Sequence, residues 1–294
     1  MGRKRTIFTG CATALVTPFF GNEVDYNALS ELIEFQLSRG VDALVLLGTT
    51  GEASCITESE RRELIAFAKR KINARVPLIV GTGSNSTEVA VRYTKMAEEL
   101  GADGCLVVTP YYNKASDKGL EMHYKEIAKS VKIPIILYNV PSRTGVNIPM
   151  SVYGALSKMD NIVAVKEACG NIAYISELAS KYGDYFDIYS GCDELILPIL
   201  SLGGKGVISV VSNIVPSYVH QLCREFSEGS REKSLELQLY LNPLIKEMFA
   251  EVNPIPIKTA LSQMSLCKAD FRLPLCHSTR REQISKILKK YKLA

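Results

Sequence analysis

The chain predicts an α/β fold, a (β/α)8 TIM barrel carrying a helical C-terminal appendage, and three observations carry that expectation. Eight short apolar runs of β character recur along it, amphipathic helical segments separate them, and no long linker interrupts the alternation. The runs lie from Ala12 to Val16, Ala43 to Leu47, Leu78 to Gly81, Cys105 to Thr109, Ile135 to Asn139, Ile162 to Lys166, Asp187 to Ser190 and Gly206 to Val210. They lack inside/outside alternation, as expected of parallel strands buried on both faces.

The intervening segments carry their own start and stop signals. Asp25 precedes Leu29, Ile33 and Leu37 at four-residue spacing, and Gly40 ends the pattern. Thr57 and Glu60 have capping-box spacing ahead of Leu64, Ile65, Ala68 and Ile72, while Ala90, Tyr93, Ala97 and Leu100 run up to Gly101. Pro77 and Pro134 stand where strands begin, a position proline tolerates. Beyond the eighth run, a helical pattern from Tyr218 to Phe226 is expected to close the barrel. Three more, from Glu232 to Phe249, Ile257 to Met264 and Arg281 to Tyr291, form the appendage. The expected division is a catalytic barrel over 1–230 and a helical region over 231–294.

The 294 residues are 47% hydrophobic and 22% charged, a globular composition that excludes disorder. The net charge is +4, but the stretch from Arg280 to Lys292 holds six basic residues against Glu282, leaving the remainder about neutral. That argues against a nucleic-acid footprint, and the basic terminal helix reads as a solvated face. The eight cysteines include no C-x-x-C pair, and the three histidines have no ligand spacing with them. Reduced, packed thiols in a cytoplasmic protein are therefore expected, with no metal site. No stretch approaches about 18 uncharged apolar residues, so no membrane span is expected. The start Met1-Gly-Arg-Lys-Arg-Thr6 matches the bare myristoylation pattern, which is frequent by chance. Cys11 to Pro18 is too short and hydroxyl-rich for a signal peptide, and neither anchor nor leader is expected.

In such a barrel the chemistry sits at the C-terminal ends of the strands. The residues there are Thr17, Thr49, Thr50, Thr82, Thr109, Tyr111, Tyr138, Asn139, Lys166, Glu167, Ser190, Gly191 and Ser209. Lys166 ends the run Ile-Val-Ala-Val-Lys, so its amine rises from packed core, where desolvation favours the neutral, nucleophilic form able to make a Schiff base. Periodicity alone also allows a lysine snorkelling at the strand end or pairing with Glu167. Tyr138 ends the preceding strand and stands at the same mouth, as a proton shuttle or as core filler. Gly48-Thr-Thr-Gly-Glu52 is a hydroxyl-bearing turn that offers backbone N–H groups to a small carboxylate, although a mere turn looks alike. Arg143 sits on a loop above the same strand, as a bidentate carboxylate clamp or a surface arginine. Leu202-Gly-Gly-Lys-Gly206 reads either as a barrel phosphate site or as glycines that admit the strand.

Taken jointly, Gly48-Thr-Thr-Gly-Glu52, Thr109-Pro-Tyr-Tyr-Asn-Lys114, Tyr138-Asn-Val-Pro-Ser-Arg-Thr-Gly145, Val165-Lys-Glu-Ala168 and Gly206-Val-Ile-Ser-Val210 resemble the dihydrodipicolinate synthase family, in order and through nearly the whole chain. The resemblance implies condensation of pyruvate with L-aspartate 4-semialdehyde to 4-hydroxy-tetrahydrodipicolinate, in lysine and diaminopimelate biosynthesis. It implies that Lys166 forms the imine, that Tyr138, Thr49 and Tyr112 relay protons, and that Tyr112 comes from a neighbouring subunit. Thr50 would hold the pyruvate carboxylate, with the Ile208 carbonyl region and Gly191 also at the substrate, and Arg143 would bind the carboxylate of the aldehyde. The family implies no cofactor and a homotetramer of two tight dimers. The alternative is another pyruvate-dependent lyase of the superfamily, acting on a sugar acid such as N-acetylneuraminate or a keto-deoxy-sugar acid.

Two departures from the family pattern stand out. Ala115 replaces the usual proline after Asn113-Lys114. Where lysine-inhibited members commonly show His, His and Glu, this chain has Glu58, Arg61 and Val89, while Asn85 and Tyr111 are retained. The resemblance then implies weak or absent feedback by lysine.

Overall fold

A computed structural model describes residues 4–294, so the first three residues of the lipidation pattern lie outside the described residues. Eight parallel strands close into a barrel: β1 (Gly10–Ala14), β2 (Ala43–Leu46), β3 (Leu78–Gly81), β4 (Gly104–Val108), β5 (Ile135–Asn139), β6 (Ile162–Glu167), β7 (Asp187–Ser190) and β8 (Gly206–Ser209). Each pairs with the next in sequence, and β8 returns to β1. All eight expected runs are strands, with ends shifted by two residues at most. A two-residue antiparallel ladder, Phe19–Phe20 with Glu23–Val24, follows β1.

The closing seam decides how the glycine-rich segment before β8 is used. Gly206 pairs with Gly10, and a Cβ on Gly206 would lie 1.9 Å from the Gly10 carbonyl oxygen. A Cβ on Gly204 would lie 2.7 Å from the Ile199 carbonyl oxygen. The glycines therefore admit the strand to a crowded seam, the second of the two sequence readings.

Helices α1 (Tyr26–Leu37), α2 (Glu58–Ile72), α3 (Thr87–Glu99) and α4 (Asp117–Ser130) follow the first four strands, and the short α5 (Pro141–Thr144) precedes α6 (Met150–Leu156) after the fifth. The remaining connections are α7 (Ile172–Tyr182), α8 (Ile196–Ser201) and α9 (Pro216–Glu228). Their starts follow the sequence signals. The Asp25 carboxylate accepts from Ala28 N, and Thr57 with Glu60 forms the full capping box. Then come α10 (Arg231–Met248), α11 (Ile255–Gln263) and α12 (Arg281–Lys290).

Two apolar layers result. One fills the barrel interior, with Ala12, Val45, Ile79, Leu106, Ile136 and Ile208 contributed by different strands. The other lies between strands and helices, and it continues without a break into Leu244, Met248, Ile257, Leu261 and Leu288 of α10 to α12. Among the described residues no helix is long and apolar enough to cross a membrane. The eight cysteines are free, and Cys11, Cys105 and Cys223 are buried.

Candidate active site

Tyr138 of β5 and Lys166 of β6 are register partners, as are Asn139 and Glu167 one residue further on. Side chains alternate across a strand, so the first pair faces the barrel interior and the second the helical layer. Lys166 Nζ stands 4.4 Å from the centroid of the Tyr138 ring. Lys166 is 5% exposed and has neither a hydrogen bond nor an ion pair among the described residues. The Glu167 carboxylate instead accepts from Asn139 Nδ2 at 2.8 and 3.0 Å, from Cys169 N at 3.0 Å and from the Tyr153 hydroxyl at 3.4 Å. The Lys166–Glu167 pairing that the sequence left open is not formed. Burial pushes the Glu167 carboxyl up to about 7, against the opposing pull of these hydrogen bonds.

Gly191, just past β7, makes room for the lysine. A Cβ there would lie 2.7 Å from the Ala168 Cβ and 3.1 Å from the Lys166 Cε. Ile208 is fully buried in the same interior cluster as Tyr138.

Above Tyr138 opens a cavity of about 510 Å³. Thr49 and Tyr138 line it, as do Arg143 on α5 and Tyr111; Lys166 is not on its wall and adjoins it through Tyr138. The Gly48–Glu52 turn is held by Gly51 N donating to Gly48 O (3.1 Å) and Glu52 N to Thr49 O (3.1 Å), and Thr17 Oγ1 donates to Gly51 O from β1's end (2.8 Å). Glycine is required nearby: a Cβ on Gly81 would lie 2.0 Å from the Leu47 carbonyl oxygen. Thr50 is buried, and its Oγ1 accepts from Asn253 Nδ2 at 3.0 Å. Arg143 Nη2 in turn donates to the Asn253 carbonyl at 3.1 Å. Thr50 and Arg143, two residues singled out in the sequence, are thus joined by a third that was not. Asn253 lies between α10 and α11, and its only sequence signal is the Asn-Pro dipeptide, which marks a turn rather than a site.

The proposed relay is not assembled within one chain. No hydrogen bond among the described residues joins Thr49 to Tyr138. Tyr112 is 94% exposed and off the cavity wall, in the left-handed region at φ 69°. Among the described residues, no three or more His, Cys, Asp or Glu side chains gather as metal ligands would.

Comparison with known proteins is unambiguous at the family level. The model of the Dihydrodipicolinate synthetase family matches residues 7–291. A 4-hydroxy-tetrahydrodipicolinate synthase of Acetivibrio thermocellus is 48% identical over 292 residues, 99% of each chain. The crystal structure of a dihydrodipicolinate synthase from Aquifex aeolicus superposes with a TM-score of 0.95 at 45% identity, covering 97% of this chain and 99% of that one. A dihydrodipicolinate synthase from Acinetobacter baumannii, complexed with pyruvate, gives a TM-score of 0.95 at 38% identity over 98% of this chain and all of the other.

Proposed function

The chain belongs to the dihydrodipicolinate synthetase family, and from that premise we propose that it condenses pyruvate with L-aspartate 4-semialdehyde through a Schiff base on Lys166. The observation that carries this reading is the Lys166 amine, buried, without a carboxylate partner among the described residues and set against Tyr138 below a cavity lined by Thr49 and Arg143. The amine adds to the pyruvate ketone, and loss of water gives an imine. As a protonated imine, the adduct withdraws electrons from the methyl group, which gives up a proton to form an enamine. The enamine carbon attacks the aldehyde, and the substrate's own amine then displaces Lys166 and closes the ring of 4-hydroxy-tetrahydrodipicolinate. Holding enamine and aldehyde together supplies the proximity term.

In this reading Thr50 holds the pyruvate carboxylate, with the Ile208 carbonyl region and the space left by Gly191 beside the lysine. Arg143 clamps the carboxylate of the aldehyde. Tyr138, Thr49 and Tyr112 carry the protons, and Tyr112 serves the site of a neighbouring subunit in a tetramer of two tight dimers. Its support is the unusual state of Tyr112 in the single chain, a large aromatic almost fully exposed on a left-handed backbone. A cytoplasmic setting belongs to the same reading and is supported by the eight free cysteines. The relatives at this identity bear the synthase name, which sets aside the sugar-acid lyase alternative.

The test is turnover of the two substrates through a coupled reductase, with borohydride reduction of the pyruvate adduct. Lys166→Ala is expected to lose both turnover and the trapped adduct; a variant that retains full turnover overturns the reading.

A further inference from the structure

We propose that the C-terminal helices set the substrate site of this protein, with Lys258 and Asn253 acting as positioning residues for the turn that carries Thr49 and Thr50. Glu52 closes that turn with a left-handed backbone at φ 54°, and its side chain is fully buried. Lys258, on α11, is equally buried and donates from Nζ to Glu52 Oε1 at 2.7 Å. The ammonium also lies 4.1 Å from the Phe19 ring centroid and 5.1 Å from that of Phe271, so the pair is enclosed by aromatic faces and not by water.

A buried ion pair gives little net stability over an apolar pair of the same volume, because both charges lose their hydration. What it does give is one fixed geometry, since neither partner has another place to put its charge. Here that geometry ties residue 52 to α11. Two residues before Glu52, Thr50 takes its hydrogen bond from Asn253, only five residues before Lys258. The backbone carbonyl of Asn253 also receives Arg143. One short stretch of chain, 253–258, thus makes separate contacts with the pyruvate turn and with the arginine at the rim.

The inference rests on the reaction proposed above and deepens it. Removing one charge alone strands the other in an apolar site, so the informative variant is the double substitution Lys258→Met with Glu52→Gln, which removes both charges at nearly constant volume. Asn253→Ala is the independent second variant, since it removes the bond to Thr50 and leaves the backbone carbonyl for Arg143. Both are measured for melting temperature, for kcat and for the KM of each substrate. Borohydride trapping with pyruvate is run on every protein.

The expected result is a pyruvate KM raised about tenfold or more in folded protein, with the KM of the aldehyde moving less and Lys166 still trapped at saturating pyruvate. Folded variants with the parent's pyruvate KM overturn the inference, as does a loss of activity that merely follows the loss of folded protein. If the double variant does not fold, Asn253→Ala decides by the same KM. Absence of trapping in the parent protein itself refutes the reaction, whereas trapping in the parent with an unmoved KM in the variants refutes only the positioning.

Discussion

Lys166 and Glu167 are neighbours on one strand and yet face opposite sides of the barrel wall, the amine toward Tyr138 and the carboxylate toward Asn139 and Tyr153. The strand's two-residue period keeps them apart, and among the described residues Lys166 has no carboxylate partner.

The same separation makes Glu167 a charge that destabilises the native state at neutral pH. Its carboxyl is raised from 4.5 to about 7, so between these values the folded chain holds a proton that the unfolded chain releases. Stability from this group therefore falls as pH rises from about 4.5 to about 7, and the full cost of about 3 kcal/mol is present above that. Glu167→Gln keeps the acceptor for Asn139 and removes the charge. We expect it to be more stable than the parent by about 1–3 kcal/mol at pH 8 and by less than about 1 kcal/mol at pH 5. Urea denaturation at the two pH values checks this, and a difference independent of pH would contradict it.

Gly191→Ala tests the space beside Lys166. The added methyl would meet Ala168 Cβ at 2.7 Å and Lys166 Cε at 3.1 Å, and the flexible lysine stem is the part that can yield. Overpacking of this kind costs about 1–3 kcal/mol. Because the displaced atom is one bond from the amine, kcat is expected to fall by about a hundredfold, far beyond the effect on stability. Steady-state kinetics alongside a thermal melt separates the two, and unchanged kcat in a folded variant would show that Lys166 is not displaced.

Lysine is expected to inhibit this protein weakly or not at all. Where inhibited members of the family carry histidine, Arg61 is 3% exposed, donating to the carbonyls of Gly81 (2.7 Å) and Ala53 (3.2 Å) and lying 4.2 Å from the Tyr93 ring centroid. Val89 lines the same cavity without a charge, and Glu58 is held by Arg92 at 3.1 Å. An incoming ammonium would meet a fixed cation, and of the acids nearby Glu58 is already paired with Arg92 and Glu52 with Lys258. Turnover with about 1 mM L-lysine added should stay well above half of turnover without it; half-inhibition below that concentration would be decisive against the prediction.

Local chemistry and periodicity made much of the candidate site legible. Tyr138, Lys166 and Thr50 end apolar runs or follow them directly, and in a parallel barrel every strand end opens on the same face, so reading the runs reads the rim. Arg143 was legible because α5 directly follows such a strand. Asn253 and Lys258 were not. They come from a segment with no strand period to place it, more than 200 residues from Thr50 and Glu52 in the chain.

The sequence by itself therefore determined the barrel, its strand order and the residues at its mouth, since these follow from hydrophobic period, caps and the turn chemistry of adjacent residues. Only the tertiary structure decided that Lys166 has no carboxylate partner among the described residues, that Gly191 clears its stem, and that the segment after β8 reaches back to the Gly48–Glu52 turn. Those are facts of burial and of long-range approach. A buried charge needs its partner wherever the fold brings one, and no local pattern in the chain records which distant residue that will be.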